Sequence, residues 1–418
     1  MRIAHLSDIH IGQKHLAWVE RALVAAVGGA IREKCDLAVI SGDSFDAPMG
    51  VHEPAVRAYI REVVRLADHM PVAVLQGTFS HDRPGSLDIL KEIPSRFPIL
   101  VADTAESYWL VVNQKTLSWH QVDRAAGATI ALVCCLPSLN RSAPEIMEHG
   151  AAAYVRGVMA GFSEYTTQAR RSGLPSVLVT HGTITGCLTE SRHAMVSPDH
   201  EFDVDTLMAS GADAVMVGHI HAHQSWGTKS QRVAYPGSLA RLVHGDHDPK
   251  GWLLWDVAPG AVSFEFVESP TRRLLEIEFD GPPNMDELRE LATLAEPDDA
   301  VRIRWTIDQE HAASVDKAAI LGLFATNERP KLEATVLPIQ SVRTSGIVRA
   351  ATLEEKIARY LSTTGDSDRL DQLTMRLQQL HQLDPMQIVE KIISATQPDT
   401  IQASGGNKHT AIWQSEAA

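Results

Sequence analysis

Cysteine is scarce in this sequence. Its four residues, Cys35, Cys134, Cys135 and Cys187, include one adjacent pair and no CxxC spacing. That pattern excludes a disulfide framework and a cysteine zinc knuckle, and it points to a reducing compartment. Long hydrophobic runs are missing as well: no stretch of about 18 apolar residues occurs. The opening "MRIAHLSDIH" lacks the charged segment and apolar core of a secretory leader. A cytoplasmic protein without a membrane span is expected. Positive charge is in short supply, with 38 Lys and Arg against 52 Asp and Glu and a net charge of −14 at pH 7. Such a chain does not coat nucleic acid through its overall field. Any DNA contact is expected to be local or shared with a partner, and weak and salt-sensitive for the chain alone.

The composition that is present, 44% hydrophobic and 22% charged over 418 residues, is that of a globular protein too long for a single core. Two or three domains are expected. Short apolar runs alternate with helical stretches: "RIAHLSD", a helix near 18–33, "CDLAVISGD", a helix near 53–68, and "MPVAVLQG". The runs "TIALVCCLP", "LPSVLVTHG" and "ADAVMVGHIHAH" continue the series, and the alternation indicates an α/β layered fold. "RVAYPGS", "GWLLWDV" and "VSFEFVES" read as consecutive antiparallel strands. A small β-α-β-α-β module follows from about residue 272. Beyond it comes a helix with Leu370, Leu373, Leu377 and Leu380 at spacings of three, four and three, a narrow apolar stripe. The expected divisions are 1–270, 271–345, 346–395 and a flexible tail at 396–418.

Aspartate and histidine recur where these strands end. Asp8 and His10 stand two apart, so an extended backbone would aim both to one side. Asp43 follows "LAVISG", His181 follows "SVLVT", and His219 and His221 follow "AVMVG". Ligands of open α/β sheets gather at strand ends. One histidine among the 19 would ordinarily be a surface or satisfied core residue, but several strand ends delivering the same residue types favour a metal site. Mixed imidazole and carboxylate donors suit Mn, Fe or Zn better than Mg or Ca. Two cations about 3.5–4 Å apart would stabilise both the attacking and the leaving oxygens of a phosphoryl transfer.

In this order "DIH", "GDSFD", "SHD", "VTHG" and "GHIH" resemble the five motifs of calcineurin-like metallophosphoesterases. "HLSDIHIG", "GADAVMVGHIHAHQ" and "YPGSLARL" followed by "KGWLLWDV" are similar, more narrowly, to the SbcD-type nuclease family. The resemblance covers roughly residues 1–270, and the later segments match that family only in layout. It implies a two-sheet sandwich flanked by helices, a small α/β capping domain, and C-terminal helices that bind an SMC-like ATPase of the SbcC type. It implies two divalent metals, most often manganese, with Fe, Zn or Mg as alternatives. Asp8, His10, Asp43 and His221 would hold one metal, with Asp43 shared, and His181 and His219 the other. His81 would stand beside the scissile phosphate, and Asp82 would orient its imidazole through a hydrogen bond. The expected activity is that of a DNA exonuclease, with endonuclease activity as an addition and a homodimer as an assembly. The rival readings are a small-molecule phosphodiesterase, such as one for cyclic nucleotides, and a binding protein that has lost catalysis.

One motif departs from the family's pattern. The turn usually written "GNHD", whose Asn is a metal ligand, is "GTFSHD" here, two residues longer and without Asn. Ser80 takes the place before the histidine, and Thr78 or a water are the other candidate oxygen donors. Elsewhere Arg192, in "HGTITGCLTESRH", either approaches a phosphate or belongs to a plain surface loop. "HGDHDPKG" (244–251) reads as a solvated turn, and His193 and His223 as loop or supporting residues. Arg141, Arg156, Arg170 and Arg171 lie either against a DNA backbone or on a solvated helix face. The leucine stripe docks either on a partner or on its own domain.

Overall fold

The computed structural model describes residues 1–113, 116–122, 128–140, 142–189, 202–327, 330–338, 347, 350–365 and 367–396. Elements are numbered in chain order. β1 (Arg2–Leu6), β2 (Leu37–Ile40), β3 (Val72–Leu75) and β4 (Ile99–Ala102) are parallel neighbours. α1 (Leu16–Arg32) and α2 (Pro54–Ala67) carry the chain back between the first three. β2 and β3 are apolar and buried at every position, as strands covered on both faces must be. In α1, Val19, Ala22, Leu23, Ala26 and Ala30 recur at helical spacing, and they share a core with Tyr59, Val63 and Leu66 of α2.

The chain then builds a second sheet. β5 (Glu106–Asn113), β6 (Thr116–Gln121) and β7 (Ala128–Leu136) are antiparallel, and α3 (Pro144–His149) and α4 (Ala151–Arg171) follow. β8 (Ser176–His181), α5 (Val204–Met208), β9 (Ala214–Gly218), β10 (Gln224–Gly227) and β11 (Arg232–Tyr235) complete it. β12 (Gly251–Ala258) and β13 (Ala261–Glu268) return to the first sheet. The orders are β13-β12-β1-β2-β3-β4 and β10-β11-β9-β8-β7-β5-β6, the expected two-sheet sandwich. Its inner layer joins Ile3, Val39, Leu75, Val133, Val179, Met216 and Trp255. One expectation is corrected: "RVAY" is not the first of three antiparallel neighbours. β11 pairs parallel with β9 in the second sheet, while β12 and β13 pair in the first. Apolar alternation marks a strand but not its partner, and the connection at 236–250 changes sheets.

β14 (Leu274–Asp280), α6 (Met285–Leu294), β15 (Ala300–Asp308), α7 (Lys317–Leu323) and β16 (Lys331–Leu337) follow in the expected order and form a three-stranded sheet. Asn284 and Asp316 cap the two helices through their side chains. Ile303, Trp305, Leu288, Ile320 and Phe324 close a separate core. The Arg272 guanidinium lies 4.0 Å above the Trp18 ring, and Arg21 meets Asp298 at 2.6 Å.

The residues described beyond Val336 form a second compact unit. Thr352 caps α8 (Leu353–Thr364), and Gly365, at φ 83°, ends it. α9 (Leu370–Gln382) and α10 (Pro385–Thr396) follow. The leucine stripe does not present one surface. Leu377 is 8% exposed, Leu370 and Leu373 are half-buried, and Leu380 is 59% exposed. The tail from 397 on lies outside the described residues. Among the described residues no helix is long and apolar enough to cross a membrane.

Candidate metal centre

The site is assembled from loops that leave the C-terminal ends of β1, β2, β3, β8 and β9, drawn from both sheets. Asp8, His10, Asp43 and His219 have φ of 48°, 46°, 51° and 105°, which makes them four of the five described non-glycine residues in the left-handed region. Each such residue costs of order 1–3 kcal/mol and persists only when its surroundings hold it. Here they do. Asp8 N–H donates to Gly42 O (3.2 Å), His10 N–H to Asp43 O (3.0 Å), and His219 N–H to both Asp8 oxygens (2.9 and 3.0 Å). The shared direction of Asp8 and His10 therefore comes from this strained turn and not from extended strand alternation. A Cβ on Gly77 would stand 2.3 Å from Asp43 Oδ1, so only glycine lets the β2 and β3 loops meet this closely.

Three groups of donor atoms, each within 4.8 Å of one another, overlap here: Asp8, His10 and His221; His10, Asp43 and His81; and Asp43, His181 and His219. Asp43 belongs to two of them. Its Oδ2 is 3.8 Å from His10 Nε2 and its Oδ1 is 3.3 Å from His181 Nε2. His10 Nε2 and His221 Nε2 are 3.0 Å apart, and the His81 ring stands edge-on to His10 with centroids 4.5 Å apart. The six Asp and His residues expected as metal ligands are thus brought together, with His81 beside them.

The turn at 76–84 sorts its side chains differently from the expectation. Ser80 is exposed, and no hydrogen bond or ring contact ties it to the cluster. Thr78 is the residue turned inward, donating from its backbone N–H (2.7 Å) and its hydroxyl (2.6 Å) to Asp43 Oδ1. Asp82 does not hold His81. Its carboxylate accepts from Ser44 N–H (3.0 Å) and Gly77 N–H (2.9 Å), fastening the β2 loop to the β3 loop. Burial, and then the charge of Asp43, push Asp82 up to about 6 against those two hydrogen bonds. The partner of His81 is the Asp46 carbonyl, 3.0 Å from Nδ1. A carbonyl only accepts, so Nδ1 carries the hydrogen and Nε2 is left for the centre.

The donor set fits divalent cations. His181 Nδ1 is held by Ser41 O at 2.7 Å, while its Nε2 and the Nδ1 of His219 are buried without a hydrogen bond. His219 Nδ1 with no hydrogen bond, and His181 Nε2 facing only the Asp43 carboxylate, are what a cation would satisfy. Burial holds His10 well below the usual imidazole range, and burial followed by the His181 charge lowers His219 to about 4, so both are neutral as ligation requires. Burial acts the same way on His181, but the Asp43 carboxylate outweighs it and raises the ring to about 10. Burial also opposes ionisation of Asp43, yet His181 and His10 bring its carboxyl below the carboxylate range.

The segment 244–251 is also corrected: it is not a solvated turn. Asp246 and Lys250 are buried, their side chains meet at 2.6 Å, and Lys250 Nζ donates to the His221 carbonyl at 2.8 Å. Ser238 N–H shares that carbonyl at 3.1 Å. Neither this support nor the Asp46 carbonyl was readable from the sequence. The only signal for the first was an Asp and a Lys four apart in a loop. His223 is structural, bonded to Tyr235 O at 2.7 Å and packed on Phe264 and Phe266. Arg170 is taken up by Asp213 at 3.1 Å, whereas Arg156 and Arg171 are exposed. Arg141, Arg192 and His193 lie outside the described residues. All four cysteines are free thiols in buried positions.

Comparison with known proteins agrees with this geometry. Residues 1–223 match the family described as calcineurin-like phosphoesterase. The SbcD component of the nuclease SbcCD from Rhodobacter capsulatus is 28% identical over 290 residues, spanning 62% of this chain and 67% of that one. The uncharacterized metallophosphoesterase YhaO of Bacillus subtilis is 24% identical over 276 residues, spanning 63% and 59%. Among solved structures, a dimetal phosphatase from Danio rerio matches with a TM-score of 0.41 at 8% identity, covering 64% of this chain and 99% of that one. GAP50, the anchor in the inner membrane complex of Plasmodium, matches with a TM-score of 0.43 at 13% identity, covering 79% and 96%. With a family match over more than half its length, the chain belongs to the calcineurin-like phosphoesterases and is a metal-dependent phosphoesterase.

Proposed function

We propose that this chain is a two-metal phosphodiesterase acting on DNA, as an exonuclease with endonuclease activity, with manganese as its metal and an SMC-like ATPase as its partner. The observation that carries the reading is the overlap of three donor groups on Asp43 and His10, with His81 at their edge. Asp8, His10, Asp43 and His221 would hold one cation, and Asp43, His181 and His219 the other. Thr78, rather than Ser80, stands by the shared carboxylate where the family's asparagine is missing. The cations would supply charge stabilisation to the phosphoryl oxygens. His81, fixed through Nδ1–H by Asp46 O, would present Nε2 to the departing sugar oxygen and, as the imidazolium, pass it the Nε2 proton, returning to the neutral Nδ1–H ring. Asp82 would act through the backbone, by keeping two ligand loops in register.

The similarity to a component of the nuclease SbcCD supports DNA as substrate and an ATPase as partner. The partner would meet exposed apolar residues of α9 and α10, such as Met375, Leu380 and Ile392, and not the buried Leu377. The test is manganese-dependent cleavage of end-labelled linear DNA by wild type and His81→Ala, with metal content measured in both. Cleavage by wild type, and its loss in His81→Ala with metal retained, is the expected result. A metal-loaded wild type that cuts no DNA, alone or with its ATPase, would overturn the reading.

A further inference from the structure

The longer turn does more than replace an asparagine: it brings Phe79 to the mouth of a cavity of about 500 Å³ lined also by Gln76, Ser138 and Tyr154. Phe79 is 38% exposed, and its ring has no aromatic partner among the described residues. Gln76 is 4% exposed, and its amide lines the cavity with no side-chain hydrogen bond among the described residues, although its backbone is tied down through Ala102 O and Ser138 N. Ser138 Oγ, also at the cavity, is buried without a partner. A buried hydroxyl left unpaired is rare and asks for a hydrogen-bonding partner, and the Gln76 amide beside it can both donate and accept.

The charge around the cavity narrows that partner. Asp103 and Glu145 lie in its wall, and among the described residues no Lys or Arg does. A phosphate is therefore disfavoured there, whereas a flat, uncharged ring with hydrogen-bonding edges is matched by the Phe79 and Tyr154 rings and by the Gln76 amide. Gln76 and Phe79 belong to the same turn as Thr78 and His81, so the cavity adjoins the turn that carries His81. We propose that the cavity is a nucleobase subsite, in which Phe79 stacks on, and Gln76 hydrogen-bonds to, a base flanking the scissile phosphate. This rests on the reading of the site as a nucleic-acid phosphodiesterase and adds that one base is gripped individually.

The test uses the manganese-loaded full chain and the 3′- and 5′-(p-nitrophenyl phosphate) esters of thymidine, each against the same ester of abasic deoxyribose. Linear DNA cleavage is measured in parallel. The expected result is that, for one of the two esters, the base raises kcat/KM by about tenfold, mainly through KM, as base–aromatic stacking supplies. The advantage falls to about twofold or less in Phe79→Ala and is retained in Phe79→Trp. DNA cleavage with no base advantage in either ester overturns the subsite and leaves the DNA reading standing. A base advantage that needs Phe79 but comes without DNA cleavage supports the subsite and overturns the DNA reading. A base advantage equal in wild type, Phe79→Ala and Gln76→Ala places the base elsewhere and also overturns the subsite.

Discussion

Asp8, His10, Asp43 and His181 are polar and no more than 4% exposed, whereas Leu380, Met386, Ile392 and Ile393 are apolar and at least 55% exposed. The strand-end loops and the C-terminal helices thus depart from ordinary sorting in opposite directions. At the loops the departure is balanced locally: strained backbones are hydrogen-bonded to each other, and the remaining donor atoms converge within 4.8 Å. In the helices Leu380 and Ile392 line a shallow apolar cavity with Leu383 and Ile388 and stay exposed. Buried polar groups that are organised around one point mark chemistry, and the exposed apolar groups are those that the proposed partner would cover.

Substitutions that return each region to ordinary sorting put this contrast to work. The largest effect is expected from Asp43→Asn, which removes the carboxylate common to two donor groups. Phosphodiester hydrolysis should fall by roughly a thousandfold in steady-state assays, and metal should be lost from both positions. Lys250→Met comes next. It takes from the buried Asp246 carboxylate its cationic partner and leaves the His221 carbonyl to Ser238 N–H alone, so chemical denaturation should report a loss of about 3–5 kcal/mol. Adding Asp246→Leu should return most of that stability without restoring metal affinity. If it restored both, the buried pair would be only a packing feature.

Within the helices, Leu377→Ala should destabilise the second unit by about 2–3 kcal/mol by hydrogen exchange, whereas Leu380→Ser should change it by less than about 0.5 kcal/mol. Equal effects would mean that the stripe is uniformly buried or uniformly free. The smallest change concerns the variant turn. Thr78→Val should weaken metal binding about 10-fold, at the low end for groups supporting a ligand, and Ser80→Ala should leave it within about twofold. A titration in which Ser80→Ala is the more damaging would reverse the assignment drawn from the Asp43 contacts.

Much of the centre was legible because its residue types sit where parallel strands end, and strands are read from short apolar runs: Asp8 after "RIAHL", Asp43 after "LAVI", His181 closing "SVLVTH". The helices and the small module were legible for the same reason of periodicity. What was hidden depends on chain paths through space. Ser80 and Thr78 carry similar hydroxyls two residues apart, and only the course of the turn decides which faces Asp43. Asp82 next to His81 suggested a bond between neighbours, yet the carboxylate reaches back to Ser44 and Gly77. "HGDHDPKG" has the composition of a solvated turn, and its Lys250 is buried only because the His221 carbonyl and Asp246 await it. "RVAY" declared a strand without declaring its sheet.

The most direct measurement of the shared-carboxylate arrangement is electron paramagnetic resonance of the manganese-loaded chain, with metal counted in the same sample. Two ions per chain with an exchange-coupled spectrum are expected for wild type, and loss of the coupled signal for Asp43→Asn. A single uncoupled ion per chain, or coupling that survives Asp43→Asn, would contradict a centre built on Asp43.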